Sequence, residues 1–109
     1  MIKAVFEKRK GCIVSFDIKG HANSVSEGYD LVCAAVSAIS ITMANGITEV
    51  AKVNADIQTI DGFLSCNLKK LSSEQIHKCQ LLLETMLIGL RSIEKSYGKY
   101  IKVLVEEVE

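Results

Sequence analysis

The sequence lacks net charge, since 13 Lys and Arg residues balance 13 Asp and Glu residues. Non-specific nucleic-acid binding depends on a broad positive field, so a direct nucleic-acid partner is not expected. The sequence also lacks an apolar run at its N-terminus, where MIKAVFEKRK carries charges in place of the apolar core of a secretory signal. Its longest apolar stretch is interrupted at Ser37, Ser40, Thr42 and Asn45. We therefore expect a cytoplasmic protein without a membrane span.

Metal-ligand spacing is also missing. The four cysteines, at positions 12, 33, 66 and 79, form neither a CxxC motif nor paired ligand clusters. This spacing argues against a zinc site and against a thioredoxin-like centre. We expect reduced thiols, as is usual in the cytoplasm, and neither a metal nor an organic cofactor.

What is present is typical of one compact domain over residues 1–109. The hydrophobic fraction is 49% and the charged fraction 24%, with no linker, low-complexity tract or repeat. Two β-hairpins are predicted, the first over residues 2–7 and 12–19 and the second over residues 55–60 and 63–68. Lys10 with Gly11 and Asp61 with Gly62 supply their turns, and residues 100–105 form a last strand.

Two long helices separate these strands. Asp30 is a favourable N-cap, and apolar residues at helical spacing follow it to Val50, which predicts a central buried helix. Ser72 and Gln75 form a capping box for the second helix, which ends at Gly98. The predicted fold is α+β, a single domain in ββαββαβ order, with a mainly antiparallel sheet packed with two long helices.

One of the four cysteines, Cys33, is the candidate reactive residue. Cys12, Cys66 and Cys79 share strand faces or a helix stripe with apolar residues, which is typical of core residues. Cys33 occupies the third position of a helix capped by Asp30, where unpaired backbone N–H groups and the helix dipole favour a thiolate. Position alone leaves a packed core residue about equally possible.

His21 is the candidate base for this thiol. It follows Gly20, a residue that allows close approach of another backbone segment, at the start of the irregular segment 20–29, where a histidine contributes little to packing. An imidazole that accepts a thiol proton and returns it to a leaving amine is sufficient for acyl transfer. Ser37 lies one helical turn after Cys33, where it either supports the thiolate or bonds to its own helix. His77 lies off the apolar stripe of the second helix, and we interpret it as solvated.

The segments GHA at 20–22 and GYDLVCAAVSAIS at 28–40 resemble the ribosomal-processing cysteine protease family (Prp, YsxB-like). The resemblance covers essentially the whole chain, and no position departs from the family pattern. It implies that His21 and Cys33 are catalytic, with Gly20, Asp30 and Ser37 as characteristic neighbours. It further implies an α+β homodimer whose loop near the histidine orders on substrate. The predicted substrate-gating loop consists of Ala22, Asn23, Ser24, Val25, Ser26, Glu27, Gly28 and Tyr29.

The resemblance implies a cysteine endopeptidase that removes the N-terminal extension of large-subunit ribosomal protein number twenty-seven, a step in bacterial ribosome maturation. The expected partner is that extension, an extended peptide with aromatic residues before the cut. Two alternatives remain open. One is a non-enzymatic ribosome-associated binding module, and the other is a thiol peptidase or acyltransferase with another substrate range.

Overall fold

The chain begins with a tight hairpin. The computed structural model describes residues 1–20, 27–60 and 62–109, and in it strands β1 (Ile2–Arg9) and β2 (Cys12–Lys19) pair antiparallel. Lys10 and Gly11 turn the chain with φ values of 52° and 82°. Positive φ at both central residues matches the right-handed twist of the strands, which explains the tight turn.

The remaining elements complete a five-stranded sheet and two helices. They are α1 (Glu27–Glu49), β3 (Asp56–Ile60), β4 (Phe63–Asn67), α2 (Ser73–Tyr97) and β5 (Ile101–Glu107). The strand order in the sheet is β3-β4-β2-β1-β5, and every pair is antiparallel except β1 with β5, which is parallel. The predicted α+β fold, its element order and its mainly antiparallel sheet are confirmed.

The core is formed where the sheet and helices meet. Phe6 on β1 and Phe16 on β2 are fully buried, with ring centroids 6.0 Å apart. The predicted apolar stripe of α2 packs against them through Leu83, Met86 and Leu90, all at 0% exposure. The Ser72 capping box predicted for α2 is present, which fixes where that helix begins.

Helix α1 begins earlier than the sequence predicts. It starts at Glu27, so Asp30 is its fourth residue and not its cap. Aspartate is also favourable inside the first turn, where its charge faces the positive end of the dipole, so a capping residue type alone does not fix the boundary. Three residues assigned to the predicted loop, Glu27, Gly28 and Tyr29, are therefore helical.

Helix α1 is also not the central buried element that its composition predicts. One face is buried, at Val32, Val36, Ser40, Ala44 and Ile47. The opposite side leaves Leu31 60% and Ile41 46% exposed, and Val50, just after the end of the helix, is 78% exposed. By length and composition the segment Asp30–Glu49 is long and apolar enough to cross a membrane, but here it packs against α2. Exposed apolar residues on a packed helix are typical of a surface that binds another protein.

One side chain of α2 forms hydrogen bonds to the backbone of β2 next to a β-bulge. The pairing runs from Glu7 with Ser15 directly to Lys8 with Ile13, so Val14 is the extra residue. The Ile13 N–H donates to Gln80 Oε1 at 2.7 Å, and Gln80 Nε2 donates to the Ile13 carbonyl at 2.8 Å. Ile13 lies beyond the part of β2 that pairs with β4, which is residues 15–19, and the Gln80 amide pairs both of its backbone groups.

We expect Gln80→Leu to lower the free energy of unfolding by about 2–3 kcal/mol, because both backbone groups of Ile13 lose their partner away from water. Urea denaturation measures the loss. Gln58→Leu is the control, since Gln58 is exposed on β3 and should change stability by less than about 0.5 kcal/mol. Equal effects of the two substitutions would contradict this role of Gln80.

Candidate active site

A cavity of about 350 Å³ lies between the first half of α1 and the neighbouring ends of the strands. Its volume is sufficient for a large side chain or a short peptide segment. Helix α1 contributes Cys33, Val36, Ser37, Ser40 and Ile41, and the other lining residues are Ile2, Ile18, Gly20, Thr59, Ile60, Gly62, Phe63 and Leu64. Most of the lining is apolar, and the cavity is open to solvent on one side.

Cys33 is half-buried and lines this cavity. It is the seventh residue of α1 and not the third, because the helix begins at Glu27. The influence of a helix dipole falls off within the first turn, so the predicted activation of Cys33 by the helix N-terminus loses its basis. A thiol at this position depends on a nearby base for conversion to the thiolate.

Two serines follow Cys33 along the cavity side of α1. Ser37 lies one turn further on, lines the cavity and is exposed, and its supporting role stays a prediction. Ser40 is only 1% exposed, and its hydroxyl oxygen has no hydrogen-bond partner among the described residues. Its spacing from Cys33, i to i+7, was the signal in the sequence that places it on the same helix face.

We expect Ser40→Ala to raise the free energy of unfolding by about 1 kcal/mol. The substitution removes a buried hydroxyl that forms no hydrogen bond in the described structure and leaves a methyl group that packs in nearly the same volume. Thermal denaturation measures this gain, with Ser37→Ala as the exposed control. A decrease in stability would show that Ser40 has a partner in the folded chain.

Gly20 closes the strand end of the cavity. Its φ is +128°, and a Cβ there would lie 2.8 Å from Ile2 Cα and 2.9 Å from the Met1 carbonyl oxygen. Its N–H donates to the Gly62 carbonyl at 3.2 Å. Gly20 therefore fixes the end of β2 against β1 and against the second hairpin turn, and the close backbone approach expected at this glycine is present.

The residues that follow Gly20 include several predicted site residues. His21 and Ala22, Asn23, Ser24, Val25 and Ser26 lie outside the described residues, as does Asp61 of the second turn. The structure describes Asp30 as an exposed residue of α1. The pairing of His21 with Cys33 and the gating role of the loop stay predictions.

The other three cysteines differ in their surroundings. Burial raises the pKa of the Cys66 thiol to about 12, and burial also raises the pKa of Cys79. Both are core residues, as predicted. Cys12 is half-buried and packs against the margin of the core. Its predicted burial assumes that side chains alternate along β2 without interruption, and the bulge at Val14 shifts that alternation by one residue. None of the four cysteines forms a disulfide.

No group of three or more potential metal ligands is found within residues 1–20, 27–60 and 62–109. His77 is exposed, as its position off the apolar stripe predicts. The described chemistry at the cavity is thus a thiol, three hydroxyl side chains and an apolar wall. A half-buried thiol in a cavity that can hold part of a peptide is compatible with a thiol-dependent hydrolase.

The comparisons with known proteins agree with that class. The family model described as cysteine protease Prp matches residues 1–102, and the chain belongs to this family. The ribosomal processing cysteine protease Prp of Bacillus subtilis strain 168 is 35% identical over 108 residues, covering 94% of this chain and 96% of the relative. The protein of the same name from Staphylococcus aureus strain Mu50 is 29% identical, covering 86% and 88% of the two chains.

Solved structures show the same fold. SMU.848 from Streptococcus mutans has a TM-score of 0.85 and 31% identity, and covers 99% of this chain and 96% of its own. The ribosomal processing protease Prp from S. aureus in complex with a substrate peptide has a TM-score of 0.86 and 27% identity, covering 97% and 100%. The S. aureus protease has also been solved with a covalently linked product peptide.

We expect Cys33 to be alkylated first when the folded protein is treated briefly with iodoacetamide near neutral pH. With a pKa of about 12, only about one Cys66 thiol in 100,000 is ionised at pH 7, and Cys79 is fully buried. Cys12 is half-buried but lies outside the cavity, so it is the internal comparison. Peptide mapping measures the order, and faster labelling of Cys12 would count against Cys33 as the reactive thiol.

Proposed function

We propose that the chain is a cytoplasmic cysteine endopeptidase that removes the N-terminal extension of large-subunit ribosomal protein number twenty-seven. The observation that carries this proposal is the Cys33 thiol in the cavity of a chain that belongs to the Prp family. The names of the curated relatives, which describe ribosomal processing, support the substrate class. The S. aureus complex with a substrate peptide supports an extended peptide as the ligand.

In the proposed mechanism His21 accepts the proton of Cys33, and the thiolate attacks the scissile carbonyl carbon. The tetrahedral intermediate collapses, the C–N bond breaks, and the leaving amine takes the proton from His21. Water, deprotonated by the same imidazole, then hydrolyses the thioester and releases the thiol. Neither a metal nor an organic cofactor takes part in these steps.

Unpaired backbone N–H groups at the start of a helix are suitable donors to the oxyanion of the tetrahedral intermediate, provided that they lie near the nucleophile. The unpaired N–H groups at the start of α1 belong to its first turn, which begins at Glu27. The Cys33 amide lies six residues further on, about 9 Å along the helix axis. We therefore do not assign the stabilisation of the oxyanion to the start of this helix.

The observations that favour a role in the reaction differ between Ser37 and Asp30. Ser37 lines the cavity one turn from Cys33, and we propose that its hydroxyl helps to orient the thiol or the bound peptide. Asp30 is exposed, and its proposed importance rests on the family pattern alone. Residues 22–26 are proposed to close over the peptide, which would bring His21 to the thiol only when substrate is present.

We also propose that the protein is a homodimer. Large apolar side chains are exposed on both helices, including Leu31 and Ile41 on α1 and Leu81 and Ile88 on α2, at 46–81% exposure. A second copy covering part of this surface would remove it from water. Light scattering after size exclusion tests the mass, with Ile88→Glu expected to shift it toward the monomer and Gln58→Glu, at an exposed position of strand β3, as a control. A monomer at all concentrations would contradict the proposal.

Cleavage is tested with purified protein and the extended ribosomal protein, followed by mass spectrometry of the products. The expected result is a single cut that releases the extension, with no cut in a ribosomal protein that lacks it. Stable binding without cleavage would instead favour a non-enzymatic ribosome-associated module. Equal cleavage or acyl transfer on unrelated peptides would favour the thiol hydrolase or acyltransferase with another substrate range.

A further inference from the structure

The two edge strands of the sheet differ in whether a side chain bonds to their outward backbone groups. At the β5 edge, the Val103 N–H donates to Glu94 Oε2 at 2.7 Å, so a side chain of α2 occupies a backbone donor that a further strand would need. At the opposite edge, β3 pairs with β4 on one side, and no described strand pairs with its other side. Proteins generally block exposed edges, so an open edge beside a reactive thiol needs an explanation.

The register identifies the backbone groups on the open edge of β3. Ile60 pairs with Phe63 across a two-residue turn, and the pairing continues without a shift to Asp56 with Asn67. Pairs in an antiparallel ladder alternate between hydrogen-bonded and non-hydrogen-bonded, and the pair that flanks a two-residue turn is hydrogen-bonded. The N–H and carbonyl groups of Ile57 and Thr59 therefore point away from β4.

This open edge lies at the cavity that holds Cys33. Thr59 and Ile60 line the cavity, and Ile60 is 64% exposed beside it. Thr59 is paired with Leu64, so both side chains lie on the same face of the sheet, and Leu64 also lines the cavity. A strand added next to Thr59 would direct every second side chain toward the face on which α1 presents Cys33.

We propose that the outer edge of β3 binds the main chain of the substrate peptide as an added strand, through the N–H and carbonyl groups of Thr59 and Ile57. The proposal rests on the proposed function, because it takes the peptide to be the substrate of Cys33. Backbone pairing holds an extended segment of nearly any sequence, and the apolar cavity then selects among the alternate side chains. The same pairing fixes the register of the scissile bond relative to Cys33.

Hydrogen exchange tests the docking separately from cleavage. The probe is a synthetic peptide that spans the extension of ribosomal protein number twenty-seven, added to Cys33→Ala so that it is not consumed. The amides of Ile57 and Thr59 should exchange fast alone and at least tenfold more slowly with peptide, while those of Gln58 and Ile60, already bonded to β4, should change little. Wild-type protein is assayed for cleavage of the same peptide in parallel.

The four outcomes are distinct. Cleavage with protection of Ile57 and Thr59 supports both proposals, and cleavage without protection overturns the docking proposal alone. Protection without cleavage overturns the proposed function and leaves the docking surface. If the peptide is neither cleaved nor protects these two amides, the proposed function and the docking proposal are both overturned.

Substitution of Thr59 separates a backbone role from a side-chain role. Thr59→Pro removes the outward N–H without removing a bond to β4, as an edge position permits. We expect KM for the peptide to rise at least tenfold in Thr59→Pro with a smaller change in kcat, whereas the rise in KM in Thr59→Val, which keeps the N–H, should be at least fivefold smaller than in Thr59→Pro. Thermal denaturation of both variants verifies the fold. A rise in KM in Thr59→Val that equals the rise in Thr59→Pro would overturn the proposal.

Discussion

Cys33→Ala is expected to lower turnover of the extended ribosomal protein by at least about a thousandfold, because no other described thiol lines the cavity. The fold should survive. Cys33 is half-buried, so loss of its sulfur removes few contacts, and the free energy of unfolding should change by less than about 1 kcal/mol. His21→Ala should give a comparable loss of turnover, since a thiol without its base is mostly protonated at neutral pH.

The matched control for this experiment is Cys12→Ala. Cys12 has the same residue type and is also half-buried, but it does not line the cavity, so turnover should stay within about twofold of wild type. Turnover is measured by mass spectrometry of the released extension and stability by urea denaturation. Near-native turnover in Cys33→Ala would show that another residue is the nucleophile. Near-native turnover in His21→Ala alone would show that another residue is the base.

The parts of the fold that follow from local chemistry were predictable from the sequence. Lys10 with Gly11 adopts the positive φ values that a tight hairpin needs, and the Ser72 capping box marks the start of α2. Alternation of period two and a stripe of period 3.6 are likewise local, and they place the strands and α2 correctly. The family resemblance of the segments around Gly20 and Cys33 is confirmed by the match over residues 1–102.

Predictions failed where tertiary context decides between local alternatives. An aspartate suits both a cap and a first helical turn, so Asp30 could not fix the start of α1. The bulge at Val14 moved Cys12 to the margin of the core, and the amide that pairs the neighbouring Ile13 comes from Gln80 on α2, which is distant in sequence. An apolar composition predicted a central α1, whereas much of its apolar surface is exposed.

The cavity itself could not be located from the sequence. It forms only when α1 packs beside the ends of four strands, and residues such as Thr59 and Leu64 carry no chemical signal that marks them as part of a site. The glycine before the histidine was the exception. Gly20 was identified as a position of close backbone approach, and the structure shows which backbone it approaches.

Gly20→Ala is expected to lower the free energy of unfolding by about 3–4 kcal/mol. An L-residue at φ +128° is strained by about 1–3 kcal/mol, and the added Cβ would meet Ile2 Cα at 2.8 Å, a backbone atom that moves only if β1 and β2 separate. Gly11→Ala is the matched control. Gly11 also has a positive φ, +82°, but its added Cβ meets nothing within 4 Å, so only the strain of about 1–2 kcal/mol applies.

The comparison also separates stability from the proposed chemistry. At a temperature where both variants are folded, Gly11→Ala should keep near-native turnover because its turn is remote from the cavity lining. Gly20→Ala should lose at least about tenfold, since displacement of the end of β2 moves the attachment point of His21, and misplacement by about 1 Å is costly to a catalytic pair. Urea denaturation and cleavage assays of both variants provide the test. Equal losses of stability in the two variants would show that the close approach to Ile2 relaxes without cost, and full activity in Gly20→Ala would show that this glycine does not position the base.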